Sequence, residues 1–186
     1  YSMGIEVISP SINLSGIDFT VKKDQILFGL SAIKNLGDSA IRNIIDSRNK
    51  QGSFKSFSDL CDRIPSNILN KRNLESLIHC GALDEFSENN NRAQLFSDLE
   101  YVMEWASSRN RDRLSGQGNL FETITNDVNK EFSLSQRSKV DDYSLIEKLK
   151  LEKQLLGFYL SDHPLKHLAM PAKLISPISL SQLEDC

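Results

Sequence analysis

Apolar residues recur with helical spacing along most of the chain after residue 28. Ala40, Ile41, Ile44 and Ile45 fall on one face, which predicts a buried helix there. Similar stripes interrupted by Gly, Pro and capping residues predict several further helices. The predicted helices cover residues 30–34, 38–49, 56–63, 70–80, 91–107 and 143–160.

The two remaining regions lack a helical period. Residues 1–28 are non-helical in pattern, and the apolar stretches 19–21 and 26–28 predict a small β-hairpin around a four-residue loop at 22–25. Residues 107–142 are rich in Ser, Asn, Gln, Asp and Arg, which predicts a long mobile loop. The expected fold is therefore mainly α, a helical bundle with a small N-terminal β-hairpin and a long mobile loop.

Local signals mark the ends of the predicted helices. Ser56 and Asp59 have the spacing of a capping box in which Asp replaces the usual Glu. Asn70 is a suitable N-cap, and Gly81 fits the residue that follows a helix C-terminus.

A tight turn at residues 35–37 separates the first two predicted helices. We expect Gly37 to take the positive φ of this turn and Asp38 or Ser39 to cap the next helix. A helix N-terminus behind such a turn offers free N–H groups to a phosphate. The stretch resembles a helix-hairpin-helix motif, although an ordinary αα-corner would have a similar pattern.

The helix–glycine–helix pattern occurs a second time around Gly81. This second copy has no free basic surface of note. We therefore expect it to pack against the first copy in a tandem helix-hairpin-helix unit with one shared core.

Composition and charge agree with a soluble protein that has a polyanionic partner. The 186 residues are 39% hydrophobic and 25% charged, and no apolar run is long enough to span a membrane. The net charge is −3, but residues 22–73 carry ten Lys or Arg against five Asp, whereas residues 74–127 carry four basic and ten acidic residues. The basic region contains the hairpin, although a solvated helix surface is the alternative explanation.

No set of residues predicts catalysis or metal binding. Cys61, Cys80 and Cys186 are too scattered for a metal pair or a disulfide framework, and buried thiols in a reducing cytoplasm are expected. His163 and His167 have ligand-like spacing but no partner ligands nearby. A helix-hairpin-helix repair enzyme is an alternative class, but it would need a catalytic Lys or Asp in a pocket beyond the hairpin.

One peptide in the predicted loop has a distinct pattern, Gln117-Gly118-Asn119-Leu120-Phe121. Two large apolar side chains in a polar segment gain nothing from exposure unless a partner buries them. The Q-x-x-L-F pattern resembles the peptide by which bacterial polymerases and repair proteins bind the sliding clamp. Chance, or packing onto this domain itself, would explain the same residues.

Several motifs occur together in one order, and their combination is more specific than any one of them. They are ISPSIN, DFTV, ILFGLSAIKNLGDSAIRNIIDSR, GSFKSFSDLCDRI, NKRNLESLIHCGALD, QGNLF and LEKQLLGFYLSDHPL. Over essentially the whole chain this order resembles the alpha-subunit family of bacterial replicative DNA polymerase III. The resemblance implies an excised segment with four parts: 1–28 as the end of the fingers, 29–106 as the tandem helix-hairpin-helix, 107–142 as the loop, and 143–186 as a helix and connector toward an OB-fold.

The resemblance also implies site residues and partners. DNA-backbone binding is assigned to Lys34, Asn35, Leu36, Gly37, Ser39, Ala40 and Arg42, and clamp binding to Gln117, Leu120 and Phe121. Expected partners are duplex DNA, the sliding clamp and other replicase subunits, in the cytoplasm and without a membrane; a protein-interaction scaffold without DNA contact is the alternative. Catalytic carboxylates and the Mg of the parent polymerase would lie outside this segment, which needs no cofactor. Asn35 departs from the glycine that the family often has.

Overall fold

A computed structural model describes residues 6–22, 25–115 and 138–162 of the chain. Within these ranges three short strands precede a helical bundle, which confirms the predicted mainly α fold. The strands are β1 (Glu6–Ile8), β2 (Thr20–Lys22) and β3 (Gln25–Leu27), and the helices are α1 (Asp38–Gln51), α2 (Phe57–Arg63), α3 (Lys71–His79), α4 (Arg92–Ser115) and α5 (Leu145–Leu156). Short 3-10 turns occupy Leu30–Ala32, Asp84–Phe86 and Glu88–Asn90.

The small sheet contains the predicted hairpin and one strand that the pattern did not predict. β2 and β3 are antiparallel, with Val21 opposite Ile26, so the predicted four-residue loop was too long. Only residues 23 and 24, which lie outside the described ranges, connect the two strands. β1 pairs in parallel with the other edge of β3. A three-residue strand with a distant partner has too little periodicity to be recognised locally.

The N-terminal loop is fixed to the helices by side chains that bond to backbone. The Asn13 side chain accepts from Phe54 N at 2.8 Å and donates to Phe54 O at 3.0 Å, as a neighbouring strand would. Arg48 of α1 donates to the carbonyls of Ile12 and Ser15 at 2.8 and 2.5 Å. These contacts give the ISPSIN segment a structural role.

The capping signals of α2 and α3 are largely confirmed. The Ser56 hydroxyl accepts from Asp59 N at 3.1 Å, but the Asp59 carboxylate accepts from Lys55 N, so the predicted box is not reciprocal. At α3 the box is complete, because Asn70 and Asn73 each accept the other's backbone N–H. Gly81 follows this helix with φ 87°.

Helix α4 continues to Ser115, so the predicted loop was wrong over residues 107–115. Charge pairing replaces the apolar stripe there. Arg109 and Arg113 bind the Asp62 carboxylate of α2 at 3.5 and 2.5 Å, and the Arg109 guanidinium lies 5.0 Å from the centre of the Trp105 ring. The helix therefore crosses the predicted boundary between residues 106 and 107.

The last described segment returns to the bundle as α5. Val140 N donates to the Gln94 side chain at 2.8 Å, which ties the segment before α5 to α4. The prediction that this helix reaches residue 160 was wrong, because Gly157 ends it in the left-handed conformation (φ 93°). Between α4 and this segment, residues 116–137 lie outside the described ranges.

One apolar cluster joins the 3-10 turn at Leu30–Ala32 to all five helices. Its largest fully buried members are Ile12, Phe28, Leu30, Ile33, Ile41, Ile44, Leu60, Leu69, Leu74, Leu77, Ile78 and Leu83. Cys61 and Cys80 are buried free thiols, as predicted, and burial raises the pKa of each to about 12. Cys186 lies outside the described residues.

Candidate nucleic-acid interface

The turn between the 3-10 segment and α1, residues 33–37, has a different backbone from the one predicted. We call residues 33–40 the Gly37 hairpin. Asn35 has φ 67°, whereas Gly37 has φ −80° and ψ 157°, so the left-handed residue is Asn35 and the prediction for Gly37 was wrong. Leu36 N closes the turn onto Ile33 O at 3.3 Å. Asn can replace glycine in this conformation because it tolerates the left-handed region better than most residues.

Gly37 is the N-cap of α1, so the prediction that Asp38 or Ser39 would cap the helix was also wrong. No side-chain oxygen caps this N-terminus. A Cβ built on Gly37 would meet no atom within 4 Å, so the missing side chain leaves open space in front of the helix. Gly37 therefore allows a ligand to approach the N-terminus of α1, and it does not provide a positive φ.

The first amides of α1 are uncovered. The first helical bond runs from Ile41 N to Gly37 O at 3.1 Å. Within the described ranges, the N–H groups of Gly37, Asp38, Ser39 and Ala40 have no hydrogen-bond acceptor. Four amides at the positive end of a 14-residue helix form a suitable site for an anionic oxygen.

The predicted DNA-binding residues divide into two groups by exposure. Lys34, Asn35, Gly37, Ser39 and Arg42 are exposed. Leu36 and Ala40 are buried and belong to the core, so only their backbone could meet a ligand. Six of the seven predicted residues thus lie in the Gly37 hairpin and Arg42 lies two residues beyond it on α1, while the side chains of Leu36 and Ala40 anchor the hairpin in the core.

Charge at the hairpin has two signs. Lys34 and Arg42 are exposed, and neither has a carboxylate partner among the described residues. Asp38 is exposed in the first turn of α1. Its negative charge interacts favourably with the positive end of the helix dipole, but it repels a phosphate. Binding of an anion would therefore depend on the amides and on the two flanking cations.

Some of the basic side chains of residues 22–73 form hydrogen bonds or ion pairs within the protein. Arg48 bonds to backbone carbonyls, Arg63 pairs with Asp59 at 2.7 Å, and Lys71 pairs with Glu100 at 2.5 Å. Burial lowers the pKa of Arg48. The exposed cations of this region that have no ion pair in the described part of the chain are Lys34, Arg42, Lys50, Lys55 and Arg72.

Two other helices hold the hairpin in place. The Asn73 side chain of α3 donates to Asn35 O at 2.6 Å, and the Asn35 side chain donates to the Ser76 hydroxyl at 3.2 Å. Lys34 N donates to Leu155 O in the last turn of α5 at 3.1 Å. Sequence reasoning missed Asn73, although an Asn at the capping-box position where Glu or Gln is usual was a signal.

The second hairpin, between α3 and α4, packs and does not present free amides. The Asp142 carboxylate accepts from Arg92 N and Ala93 N at 3.1 and 3.4 Å, and Asn91 accepts from Gln94 N at 2.9 Å. The N-terminus of α4 is thus occupied by the chain's own side chains, in agreement with the packing role expected of this copy.

The Arg92 side chain fixes the turn that precedes α4. It donates to both Asp84 oxygens at 2.8 Å, to Glu152 at 3.0 Å and to the His79 carbonyl at 3.2 Å. Burial would lower the pKa of Arg92, but hydrogen bonds and charge from Asp84 and Glu152 raise it overall. Burial raises the pKa of Asp84 in spite of Arg92.

Among the described residues, no cluster of three or more His, Cys, Asp or Glu side chains could hold a metal ion. Asp46 and Lys50, beyond the hairpin, are exposed on α1. A cavity of about 20 Å³ beside Met103 lies between α2 and α4 and has room for about one water.

Two predicted features lie outside the described residues. They are the clamp-binding residues Gln117, Leu120 and Phe121, and the histidines His163 and His167. In the described parts of the chain, no helix combines the length and apolarity that a membrane span requires.

The fold and the hairpin define the class of protein: the chain is a helix-hairpin-helix protein. A family model described as "Helix-hairpin-helix motif" matches residues 4–95. Proteins called DNA polymerase III subunit alpha are similar over 88% of the chain: 41% identical over 163 residues in Thermus aquaticus, 43% over 167 in Deinococcus radiodurans and 38% over 164 in Borreliella burgdorferi. The chain belongs to this alpha-subunit family, and it spans 12 to 14% of the length of these relatives.

Proposed function

We propose that this chain is the part of a replicative DNA polymerase that binds the backbone of duplex DNA, and that the Gly37 hairpin makes the contact. The observation that carries the proposal is the set of uncovered amides at residues 37–40 behind a glycine with open space in front of it. Family membership supports DNA as the polyanion, since the relatives are named as DNA polymerase subunits.

The geometry favours backbone recognition over base recognition. Amides and flanking Lys or Arg side chains bind phosphate oxygens, which are the same at every sequence. Lys34 lies in the turn and Arg42 in the early part of α1, and both are exposed. Binding should therefore be weak, strongly dependent on salt and nearly independent of base sequence.

A titration of the chain with fluorescent duplexes tests this proposal. Gly37→Val adds a side chain where the structure has open space, so it should lower stability by only about 1 kcal/mol through the weaker N-cap and weaken DNA binding several-fold. Lys34→Ala and Arg42→Ala should each lower the slope of log affinity against log salt by about 1. Lys139→Ala is the charge-matched control, because Lys139 is 93% exposed and its carboxylate neighbour Glu88 precedes α4.

Three results would reject the hairpin as the contact site. These are unchanged binding by Gly37→Val, an equal effect of Lys139→Ala, and strong discrimination between two unrelated duplexes. Failure of the unmodified chain to bind any duplex at low salt would favour a protein-interaction scaffold.

We further propose that Gln117, Leu120 and Phe121 bind the sliding clamp and so tether the polymerase during processive synthesis. The support is the Q-x-x-L-F sequence together with family membership. The double change Leu120→Ala, Phe121→Ala should abolish most clamp affinity and leave the melting temperature unchanged. Asn119→Ala, in the same peptide but outside the three-residue pattern, is the control.

The opposite result would assign the two apolar side chains to the domain itself. If Leu120 and Phe121 pack onto the helices of this chain, the double change should lower the melting temperature by several degrees, as large-to-small core substitutions do. The same double change would then leave clamp affinity unchanged.

The whole protein is proposed to be a DNA-directed DNA polymerase, a nucleotidyltransferase of DNA replication in the cytoplasm. We place its Mg-binding carboxylates elsewhere in the polymerase, as the family resemblance implies. Two-metal chemistry needs converging carboxylates, and among the described residues no group of three or more could hold a metal ion. The purified chain should therefore show no primer extension with Mg. Metal-dependent extension by the chain alone would overturn this assignment.

A further inference from the structure

Both polar atoms of the Asn73 side chain in α3 form hydrogen bonds. Its oxygen accepts from Asn70 N at 3.1 Å, and its own backbone N–H donates to the Asn70 side chain at 3.0 Å. Its side-chain nitrogen donates to Asn35 O at 2.6 Å. Asn73 is 7% exposed, so these bonds form in a largely dry environment. One residue thus connects the N-terminus of α3 to the turn of the Gly37 hairpin.

The capping box determines where the nitrogen of Asn73 points. A side-chain amide is planar, so once its oxygen is held by Asn70, the direction of its N–H groups is set as well. That direction meets the carbonyl of Asn35 across a separation of 38 residues in sequence. The cap of one helix therefore constrains the backbone of a distant turn.

Asn35 needs such support because of its conformation. It is the hairpin residue with positive φ, a conformation that glycine adopts more readily than Asn. Two polar groups of Asn35 are held by α3: Asn73 donates to its backbone carbonyl, and Ser76 accepts from its side-chain nitrogen. Two residues later, Gly37 begins the run of uncovered amides. A change in the Asn35 backbone would rotate these amides.

We infer that Asn73 is a positioning residue for the DNA-backbone site: it holds Asn35 in the left-handed conformation and so directs the first-turn amides of α1 toward one phosphate. This inference rests on the proposed DNA binding. It also gives α3 of the second hairpin a role in the first hairpin beyond filling the core. It accounts for Asn at position 35, because Asn73 and Ser76 offset the cost that glycine would avoid.

Two alanine substitutions separate positioning from stability. Asn73→Ala and Asn70→Ala each remove one side chain of the same capping box, but only Asn73→Ala removes the bond to Asn35. Both should lower the melting temperature of the chain by similar amounts. Asn73→Ala should weaken binding of a fluorescent duplex about three- to tenfold, as expected for one lost hydrogen bond, whereas Asn70→Ala should not.

A rescue variant adds a readout that stability does not affect. Adding Asn35→Gly to Asn73→Ala should restore DNA binding without restoring the melting temperature, because glycine adopts the left-handed conformation without help. In ¹H–¹⁵N spectra of the DNA-free chain, Asn73→Ala should shift the amide signals of residues 36–40, and Asn70→Ala should leave them in place.

Each contrary outcome is distinct. Equal loss of DNA binding in Asn70→Ala and Asn73→Ala, or no rescue by Asn35→Gly, would show that Asn73 acts only through the stability of α3. If the unmodified chain does not bind DNA, the proposed function fails, and the amide spectra still test the positioning. Unshifted signals of residues 36–40 in Asn73→Ala would overturn it.

Discussion

The guanidinium of Arg92 lies 3.0 Å from the carboxylate of Glu152, and the two side chains are 5% and 1% exposed. The contact joins the first residue of α4 to α5 across 60 positions of sequence. Glu152 also accepts from the Ser161 hydroxyl at 2.6 Å and from Ser161 N at 3.2 Å. A buried carboxylate with these partners holds both helices and the segment after α5 in one arrangement.

Glu152→Ala should be strongly destabilising, because it leaves the buried Arg92 with Asp84 as its remaining carboxylate partner. Removing one member of a buried ion pair costs about 3 kcal/mol or more. Urea unfolding of the variant and of the unmodified chain measures the loss. Glu100→Gln is the control, since Glu100 and Lys71 form an exposed pair whose removal should change the unfolding midpoint little. Similar midpoints for both variants would contradict the buried pairing.

Asn13→Ala should destabilise the fold by about 1–3 kcal/mol, because it leaves the buried backbone N–H and C=O of Phe54 without their partners. Thermal unfolding measures this effect. Asn67→Ala is the matched substitution, since Asn67 is exposed between α2 and α3 and has no described hydrogen bond. If the two variants unfold at the same temperature, the side chain of Asn13 does not anchor the N-terminal loop.

Gly29→Ala should lower stability by about 1–3 kcal/mol through overpacking. A Cβ at Gly29 would lie 2.5 Å from Asp18 C and 2.7 Å from Phe19 N, which are backbone atoms that cannot move aside cheaply. Gly37→Ala is the comparison, because its Cβ would meet nothing within 4 Å and an N-cap Gly→Ala change costs only about 1 kcal/mol or less. Calorimetry on both variants gives the difference. If Gly29→Ala is more stable than the unmodified chain, the backbone at residue 29 lies farther from the backbone of Asp18 than the structure shows.

Stability should fall as the pH drops below 6.5 because of His79. Burial lowers the pKa of His79, with Arg92 acting in the same direction and Glu75 opposing. Its Nδ1 is buried without a hydrogen-bond partner among the described residues, and the centre of its ring lies 5.0 Å from that of Phe96 and 5.7 Å from that of Tyr143. As the pH falls below 6.5, His79 therefore binds a proton more readily in the unfolded chain than in the folded chain. The free energy of unfolding decreases accordingly until the pH reaches the lower pKa of His79 in the folded state.

His79→Gln isolates this contribution from the other two histidines. The unfolding free energy of the unmodified chain should decrease between pH 7.5 and 5.5 more steeply than that of the variant. Parallel pH profiles would show that His79 titrates equally in the folded and unfolded states.

Much of the fold could be predicted from short-range patterns. The apolar stripes located α1, α2 and α3, and the residues around them identified the caps Ser56 and Asn70. These features depend on residues three or four apart on one helix, so a continuous stretch of sequence contains all the information required. The hairpin was located for the same reason.

Other features depend on partners that are far away in sequence. The extension of α4 to Ser115 needs Asp62 of α2, and β1 needs the distant strand β3. Neither partner is identifiable from the local pattern. Residues 107–115 were therefore predicted as loop, and residues 6–8 only as part of a non-helical region.

By itself the sequence determined that this protein has a helix-hairpin-helix turn at residues 35–37, and which family it belongs to. Only the tertiary structure decided that Asn35, and not Gly37, is the left-handed residue. The physical reason is that a turn residue's conformation reflects the total free energy of its contacts as well as its intrinsic preference. The contacts of Asn35 with Asn73 and Ser76 come from a helix that begins 36 residues later in the chain.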